Sequence, residues 1–145
     1  MFVIIMGCGR VGARVASQLA RAGHEITVLD LNASAFHRLD PDFSGNTIVG
    51  NGIDSDVLRR VGIERADAFA AVTQGDNRNV MASQIARHIF GVPKVVTRIY
   101  DPLRKETFGL LGIEAISPTV IGADKFLEIL DPDSLETSDP ATGAG

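Results

Sequence analysis

The sequence has few of the residues that mark a disulfide-stabilised or metal-binding protein. Its 145 residues include a single cysteine, Cys8, so no disulfide bond can form within the chain. The lack of a disulfide framework agrees with a reducing compartment. The three histidines, His24, His37 and His88, are widely separated and have no metal-binding spacing. We therefore expect neither a disulfide framework nor a metal site.

Long hydrophobic segments are also missing. The longest strongly apolar runs are residues 2–6 and 68–72, far shorter than the roughly 20 residues that a membrane-spanning helix needs. Met1 is followed by an apolar run, but neither a basic leader nor a small-residue cleavage site accompanies it. We expect no direct membrane insertion, no signal peptide and a cytoplasmic location.

The chain has no excess of basic residues. Its formal net charge is -4, and residues 131–145 account for all of it, because Asp131, Asp133, Glu136 and Asp139 have no basic residue among them. Residues 1–130 are neutral overall and contain no basic stripe, which argues against nucleic-acid binding. A hydrophobic content of 45% is sufficient for the core of one globular domain.

The most informative stretch is the N-terminus, where the apolar run meets the pattern G-x-G-x-x-G at Gly7, Gly9 and Gly12. The unbroken apolar run predicts a parallel strand buried on both faces. In this pattern the first glycine makes a tight turn, the second lets a pyrophosphate approach the backbone, and the third lets the helix pack on the strand. The start of that helix favours an anionic ligand.

The segment after the glycine loop strengthens this interpretation. Residues 14–22 have the pattern of an amphipathic helix that Gly23 ends, and residues 25–30 form a second predicted strand that ends in Asp30. Asp30 follows Gly12 at close to the roughly 20-residue offset of the acid that binds an adenosine ribose. Cys8 lies within the loop, and either a redox-sensitive thiol or a small residue tolerated there would explain it.

The rest of the chain alternates between predicted strands and helices. Strands are predicted at residues 47–49, 68–72, 95–97 and 114–116, and helices at 33–39, 56–61, 77–90, 101–112 and 120–130. Asp76 is the expected N-cap of the 77–90 helix, and Asp101-Pro102 and Ser117-Pro118 are expected helix starts. The alternation predicts an α/β fold, a Rossmann-like doubly wound, mainly parallel six-stranded sheet with helices on both faces.

Polar and glycine residues follow several predicted strands, at the edge where such sheets bind ligands. Residues 50–54 could line a ligand crevice, or they could form an ordinary turn in which Asp54 or Ser55 caps the next helix. Arg98 ends the fifth strand, and either a ligand phosphate or a neighbouring carboxylate would suit its guanidinium.

Four stretches together resemble a known family, the N-terminal domain of the RCK group (regulators of potassium conductance), of the TrkA-N type. They are residues 7–12, residues 28–30, Val72-Thr73 with Asp76 and Asn79, and residues 112–119. The resemblance covers residues 1–130 and leaves residues 131–145 as a flexible acidic tail or severed linker. Asn51 and Asn77 depart from the family pattern, in which an acid is common at both positions.

The resemblance implies a cytoplasmic, non-enzymatic, nucleotide-sensing regulatory subunit or domain of a potassium channel or transporter. It implies binding of NAD(H), ATP, ADP or AMP, a membrane potassium transporter or channel subunit as partner, and a homodimer or a larger ring. The implied cofactor-binding residues lie on the glycine loop and at four strand ends: Gly7, Cys8, Gly9, Arg10, Val11, Gly12, Asp30, Leu31, Asn51, Gly52, Thr73, Gln74 and Arg98. The resemblance implies that Arg10 contacts terminal phosphates, and a solvated arginine at the helix start is the alternative.

Two other functions remain open at this point, an NAD-dependent oxidoreductase and a regulator of a cation/proton antiporter. An oxidoreductase would need a substrate site and a positioned acid or base, for which residues 1–130 leave no separate domain. Nucleotides with a 2′-phosphate, such as NADP, are expected to bind worst, because Asp30 would repel that phosphate and no nearby arginine follows Asp30 in sequence. The apolar residues of the last helix predict a contact with a partner, unless that helix folds back on its own core. The family resemblance implies that this partner is a second copy of the chain.

Overall fold

The computed structural model describes residues 1–101, 105–109 and 111–136. Its strands are β1 (Phe2–Met6), β2 (Glu25–Asp30), β3 (Asn46–Val49), β4 (Ala68–Ala71), β5 (Lys94–Arg98) and β6 (Glu114–Ile116). Its α-helices are α1 (Arg10–Arg21), α2 (Ser55–Arg60), α3 (Asp76–Gln84), α4 (Lys105–Gly109), α5 (Pro118–Leu130) and α6 (Asp133–Glu136). Short 3₁₀ segments cover Ala33–Arg38 and Ile63–Arg65, and a π-helical turn, Ile85–Ile89, follows α3.

The six strands form one sheet in the order β3-β2-β1-β4-β5-β6, and every pairing is parallel. This is the strand order of a Rossmann fold. The chain adds strands on one side of β1 up to β3 and then on the other side from β4, so the strand order reverses between β1 and β4. The predicted fold class is therefore confirmed. The reversal leaves a crevice outside the carboxyl ends of β1 and β4, which is where such sheets bind ligands.

Strand β1 lies at the centre of the sheet and is buried on both faces. Val3 and Ile5 pack with Ala16 of α1 on one face, whereas Ile4 packs with Leu58 of α2 on the other. Ile4 and Ile5 are completely buried, and burying such a side chain contributes about 1.5–3 kcal/mol. The centre of the sheet thus gives the glycine loop that follows β1 a rigid base.

The helix α1 begins at Arg10, earlier than the residue 14 predicted from the sequence. Gly9 is its N-cap, and Gly12 lies in its first turn against the end of β1. A Cβ atom at Gly12 would lie 1.9 Å from the carbonyl oxygen of Gly7. The early start is possible because the glycine leaves room for that turn.

The helix predicted over residues 77–90 differs in two respects. Gly75, not Asp76, is the N-cap of α3, and the Asp76 carboxylate instead accepts hydrogen bonds from the backbone N–H groups of Tyr100 and Asp101. The chain then passes into the π-helical turn, whose extra residue per turn shifts the following side chains around the helix axis relative to α-helical spacing. Ile89, which α-helical spacing assigns to the core, is accordingly 64% exposed.

In the C-terminal part of the described chain, the last helix begins at the predicted Ser117-Pro118 start but does not pack on the core of its own domain. The Ser117 hydroxyl accepts a hydrogen bond from the backbone N–H of Val120, and Pro118 occupies the first turn of α5. No residue of α5 is buried, so the helix does not fold back on its own core. Asp133–Glu136 is helical where a tail was predicted, and residues 137–145 and the Pro102 helix start lie outside the described residues.

None of the described helices combines the length and the apolar character needed to cross a membrane.

Candidate functional site

A cavity of about 760 Å³ opens at the crevice beyond β1 and β4. Its volume is in the range of small-molecule sites. It brings together predicted residues from four separate parts of the chain: Gly7, Cys8, Gly9, Arg10, Val11, Asp30, Thr73, Gln74 and Arg98. The parallel sheet achieves this because β1, β2, β4 and β5 all end at the same edge.

A smaller cavity of about 90 Å³ adjoins the same loop and brings in two more predicted residues, Leu31 and Gly52. Leu31 is half-exposed, whereas Gly52 is buried. A Cβ atom at Gly52 would lie 2.1 Å from the Met6 sulfur. Gly52 therefore lets the segment after β3 approach the end of β1.

Two predicted residues, Asn51 and Gly12, are not among the described residues that line either cavity. Asn51 Oδ1 accepts a hydrogen bond from the backbone N–H of Ile53, at 3.2 Å. Asp54 follows as the N-cap of α2. This geometry is the ordinary turn considered in the sequence analysis. Gly12 has the packing role that its position in the pattern predicts.

The glycine loop is fixed by Asp30. One carboxylate oxygen accepts the backbone N–H of Cys8, and the other accepts that of Asn32, each at 2.8 Å. The sequence predicted Asp30 as a ribose ligand but not as an anchor of the loop. A carboxylate offers about four lone-pair sites, so these two contacts leave acceptor capacity directed at the cavity.

The first two glycines of the loop differ in their surroundings. Gly7 has a φ of 109°, in the left-handed region that favours glycine, and a Cβ atom there would lie 2.9 Å from the Thr73 nitrogen. Gly9 has a φ of −80° and no atom within 4 Å of the position of a Cβ. Gly7 is therefore required for the turn, whereas Gly9 faces open space. The N-terminus of α1 has no side-chain cap, and its unpaired N–H groups favour an anion.

The ends of β4 and β5 are held by Asn79, a completely buried residue of α3. Its amide nitrogen donates to the carbonyl oxygens of Thr73 and Arg98, at 2.9 and 3.1 Å. Its Oδ1 accepts the backbone N–H and the hydroxyl of Thr73, at 3.0 and 2.6 Å. Thr73 therefore lines the cavity with its hydroxyl proton already used by Asn79.

Three arginines line the larger cavity, Arg10, Arg38 and Arg98, and Asp30 is the one acid among its described lining residues. Arg98 forms no ion pair with a carboxylate of the residues that the structure describes. Its guanidinium lies 4.5 Å from the centre of the Tyr100 ring and donates to the Tyr100 hydroxyl. Its Nε is buried without a hydrogen-bond partner. The cavity therefore favours an anionic ligand.

Arg38 is the functional candidate that sequence reasoning missed. The 3₁₀ segment Ala33–Arg38 is capped by Asn32, whose Oδ1 accepts the backbone N–H of Ser34. Ala35 is buried against the α1 side of the core, and this packing holds the segment so that Arg38 lies beside the cavity. No nearby arginine follows Asp30 in sequence, whereas the fold brings Arg38 into the cavity that Asp30 also lines. The short helix predicted directly after that acid was the available signal.

The Cys8 thiol is completely buried. Burial raises its pKa above the ordinary value, the charge of Asp30 raises it further, and Arg38 partly offsets the increase. A reactive sensor thiol needs exposure and a lowered pKa, so the structure favours the small loop residue over the redox-sensitive one. In the part of the chain that the structure describes, no three His, Cys, Asp or Glu side chains are grouped as metal ligands.

The strand order and the glycine loop together define a Rossmann-like nucleotide-binding domain. A more specific assignment comes from comparison with known proteins. The model of the TrkA-N domain family matches residues 3–118. The chain belongs to the TrkA-N domain family, which confirms the resemblance to the RCK N-terminal domain.

A curated relative is the Trk system potassium uptake protein TrkA of Streptomyces coelicolor, 45% identical over 145 residues, an alignment that covers 99% of this chain and 65% of that relative. The chain thus spans less than two thirds of that relative's length.

Two solved structures share the fold. The TrkA-N domain of the inner membrane protein ybaL from Escherichia coli has a TM-score of 0.79 at 15% identity, covering 90% of this chain and 96% of that one. The Kef CTD of Shewanella denitrificans in its AMP-bound form has a TM-score of 0.74 at 22% identity, covering 99% of this chain and 86% of that one.

Proposed function

We propose that this chain is the nucleotide-sensing regulatory domain of a potassium uptake or channel system. The observation that carries the proposal is a cavity at the β1–β4 reversal point, built on a glycine loop and lined by three arginines and one acid. The family and the TrkA relative support the assignment to potassium transport. Residues 1–130 would form the nucleotide-binding domain, and residues 131–145 a tail or linker.

The proposed ligand is an adenine nucleotide, with NAD(H), ATP, ADP and AMP as the candidates. The glycine loop, residues 7–12, would hold its phosphates on backbone N–H groups, and Asp30 would accept hydrogen bonds from its ribose. Arg10 and Arg98 would contact the phosphates, while Thr73, Gln74, Leu31 and Gly52 would line the remaining surface. The AMP bound to the structurally similar Kef CTD supports this ligand class.

A regulatory role accounts for the cavity better than catalysis does. An enzyme of this fold would need a positioned acid or base. Among the described lining residues, the Asp30 carboxylate anchors the loop, the Cys8 thiol is buried with a raised pKa, and the Tyr100 hydroxyl is engaged by Arg98. We therefore place the function in ligand binding and in its transmission to a membrane partner on the cytoplasmic side.

Transmission requires a contact surface, and α5 offers one. Its exposed apolar residues are Val120, Ile121, Phe126, Leu127, Ile129 and Leu130. A surface of this kind marks a protein interface, and a homodimer, alone or within a larger ring, would cover it. Nucleotide exchange would then shift the balance between subunit arrangements by no more than the ligand's differential affinity for them.

A thermal-shift screen with AMP, ADP, ATP, NAD and NADH tests the ligand. A bound nucleotide at about 100 times its Kd should stabilise the domain by about 2.7 kcal/mol. The Gly9→Val variant is the matched control, because the open space at Gly9 accommodates the side chain while the loop loses access to phosphate. The proposal fails if no nucleotide raises the melting temperature, or if Gly9→Val responds as the unaltered protein does.

A further inference from the structure

A second cavity of about 610 Å³ continues from the nucleotide cavity along the outer side of α1. The two share Arg10 and Arg38, which stand at the boundary between them. Arg14 and Arg21 of α1 also line the second cavity, and Asp40 is the one acid among its described lining residues. This second cavity, called the arginine trough below, therefore carries an excess of positive charge.

One of the four arginines is already neutralised. The Arg21 guanidinium forms ion pairs with Asp40 and Asp42, at 2.7 and 2.9 Å. The side chains of Arg10, Arg14 and Arg38 form no hydrogen bond or ion pair with any described residue. Like charges gathered in one concave site raise the local concentration of anions. The trough is thus suited to a second anionic group, separate from the phosphates on the glycine loop.

The position of Asp30 indicates where that group would sit on the ligand. In a Rossmann domain the acid at this position marks the adenosine ribose, and a nearby arginine is the residue that accommodates a 2′-phosphate. Arg38 lines the same cavity as Asp30 and also faces the trough. Two backbone N–H groups already donate to the Asp30 carboxylate, which reduces its repulsion of a neighbouring anion.

We infer that Arg38, assisted by Arg10 and Arg14, forms a subsite for a 2′-phosphate on the adenosine ribose. The inference rests on the proposed nucleotide function and names the specificity of that site. It reverses the expectation that 2′-phosphorylated nucleotides bind worst, which rested on the charge of Asp30 and on the lack of a nearby arginine after it in sequence. A guanidinium binds phosphate with two parallel hydrogen bonds, so Arg38 is the residue on which discrimination should depend.

The test compares two probes that differ by a single phosphate, AMP and adenosine 2′,5′-bisphosphate, by isothermal titration. The bisphosphate should bind the unaltered protein at least about tenfold more tightly, the scale of 1.4 kcal/mol. Arg38→Gln should reduce that advantage to less than about twofold, because it should weaken binding of the bisphosphate far more than binding of AMP. Arg60→Gln is the matched control, because Arg60 is exposed on α2 and lines neither cavity; it should leave both affinities unchanged.

Three results would overturn the inference, and they are distinguishable. If AMP binds and the bisphosphate binds no more tightly, the subsite is absent but the proposed nucleotide function stands. If Arg38→Gln weakens both probes equally, Arg38 serves the 5′-phosphate instead. If neither probe nor any nucleotide of the thermal-shift screen binds, the proposed function fails together with the subsite.

Discussion

The helices α1 and α5 have similar lengths, 12 and 13 residues, but opposite relations to the rest of the chain. Four small residues of α1 are buried on the sheet, Gly12, Ala13, Ala16 and Ser17. No residue of α5 is buried. Even its large apolar side chains are exposed, Phe126 to 71% and Ile129 to 82%. The comparison teaches that an apolar helix face predicts a covering surface without saying which molecule supplies it.

The two ends of the domain also divide the proposed tasks. The α1 end builds the cavity, because close packing of the helix on β1 places its N-terminus at the crevice. The α5 end offers a contact surface, because large apolar side chains there remain exposed. Substitutions at the α1 end should therefore affect folding and ligand binding, whereas those at the α5 end should affect association.

The largest effect is expected from Gly12→Ala. The added Cβ would lie 1.9 Å from the Gly7 carbonyl oxygen, so either α1 or the loop must move. Overpacking typically costs about 1–3 kcal/mol, and we expect the upper end because backbone is in the way. Urea denaturation measures the loss. Gly9→Ala is the control and should stay within about 0.5 kcal/mol, so equal midpoints for the two variants would contradict the role given to Gly12.

Asp30→Ala should have the next largest effect, on two quantities. Nucleotide binding should weaken by about 1.5–3 kcal/mol, the scale of a hydrogen bond to a charged group. Unfolding should become easier by about 1 kcal/mol, because the N–H groups of Cys8 and Asn32 lose their acceptor. Calorimetric titration and urea denaturation check the two losses.

The control for Asp30→Ala is Asp56→Ala on the surface of α2, which removes the same charge away from the cavity. It should change neither quantity by more than about 0.5 kcal/mol. Full nucleotide affinity in Asp30→Ala would remove the carboxylate from the ligand site. Lost affinity with unchanged stability would leave it as a ligand but not as an anchor.

A double substitution in α5, Phe126→Asp with Ile129→Asp, should hardly alter the intrinsic stability of one chain. Both side chains are exposed, so the unfolding free energy of the monomer should change by less than about 0.5 kcal/mol. The proposed dimer, in contrast, should dissociate because the interface would acquire unpaired charges. Light scattering at tens of micromolar protein, together with the dependence of Tm on protein concentration, measures both consequences.

Lys125→Ala is the control for the α5 double substitution, because this exposed residue forms its ion pair with Glu128 across the surface of the same helix. It should leave the oligomer intact. If the unaltered protein is a monomer, the dimer proposal is wrong. If the double variant remains dimeric, the interface does not involve α5.

The smallest effect is expected from thiol reagents. The raised pKa of Cys8 leaves less thiolate at pH 8 than an ordinary cysteine has, and burial blocks access to it. Iodoacetamide should therefore leave the folded domain unmodified by mass spectrometry and label it once denatured. Labelling of the folded domain at the rate of the denatured chain would restore the redox-sensitive interpretation of Cys8.

Local signals were enough to predict much of the fold. The apolar run before Gly7, the glycine spacing and the acid at the end of β2 are short-range features, so strand, turn and helix follow from neighbouring residues. The predicted bounds of β2 and β6 agree with the structure. The start of α1 at Arg10 was not predicted, because it depends on how closely Gly12 packs against the Gly7 backbone. The π-helical turn after α3 was not predicted either, because the pattern of apolar residues there is that of an ordinary α-helix.

By itself, the sequence determined the parallel sheet, its glycine loop and the family, since periodicity and spacing are properties of consecutive residues. The tertiary structure decided which side chains meet. It brought Arg38 beside Asp30, made Asp30 the anchor of the loop, directed Asp76 to the N–H groups of Tyr100 and Asp101, and left the apolar face of α5 uncovered. Those contacts join residues distant in sequence or depend on how a short helix packs on the core, and pattern along the chain carries no information about such distances.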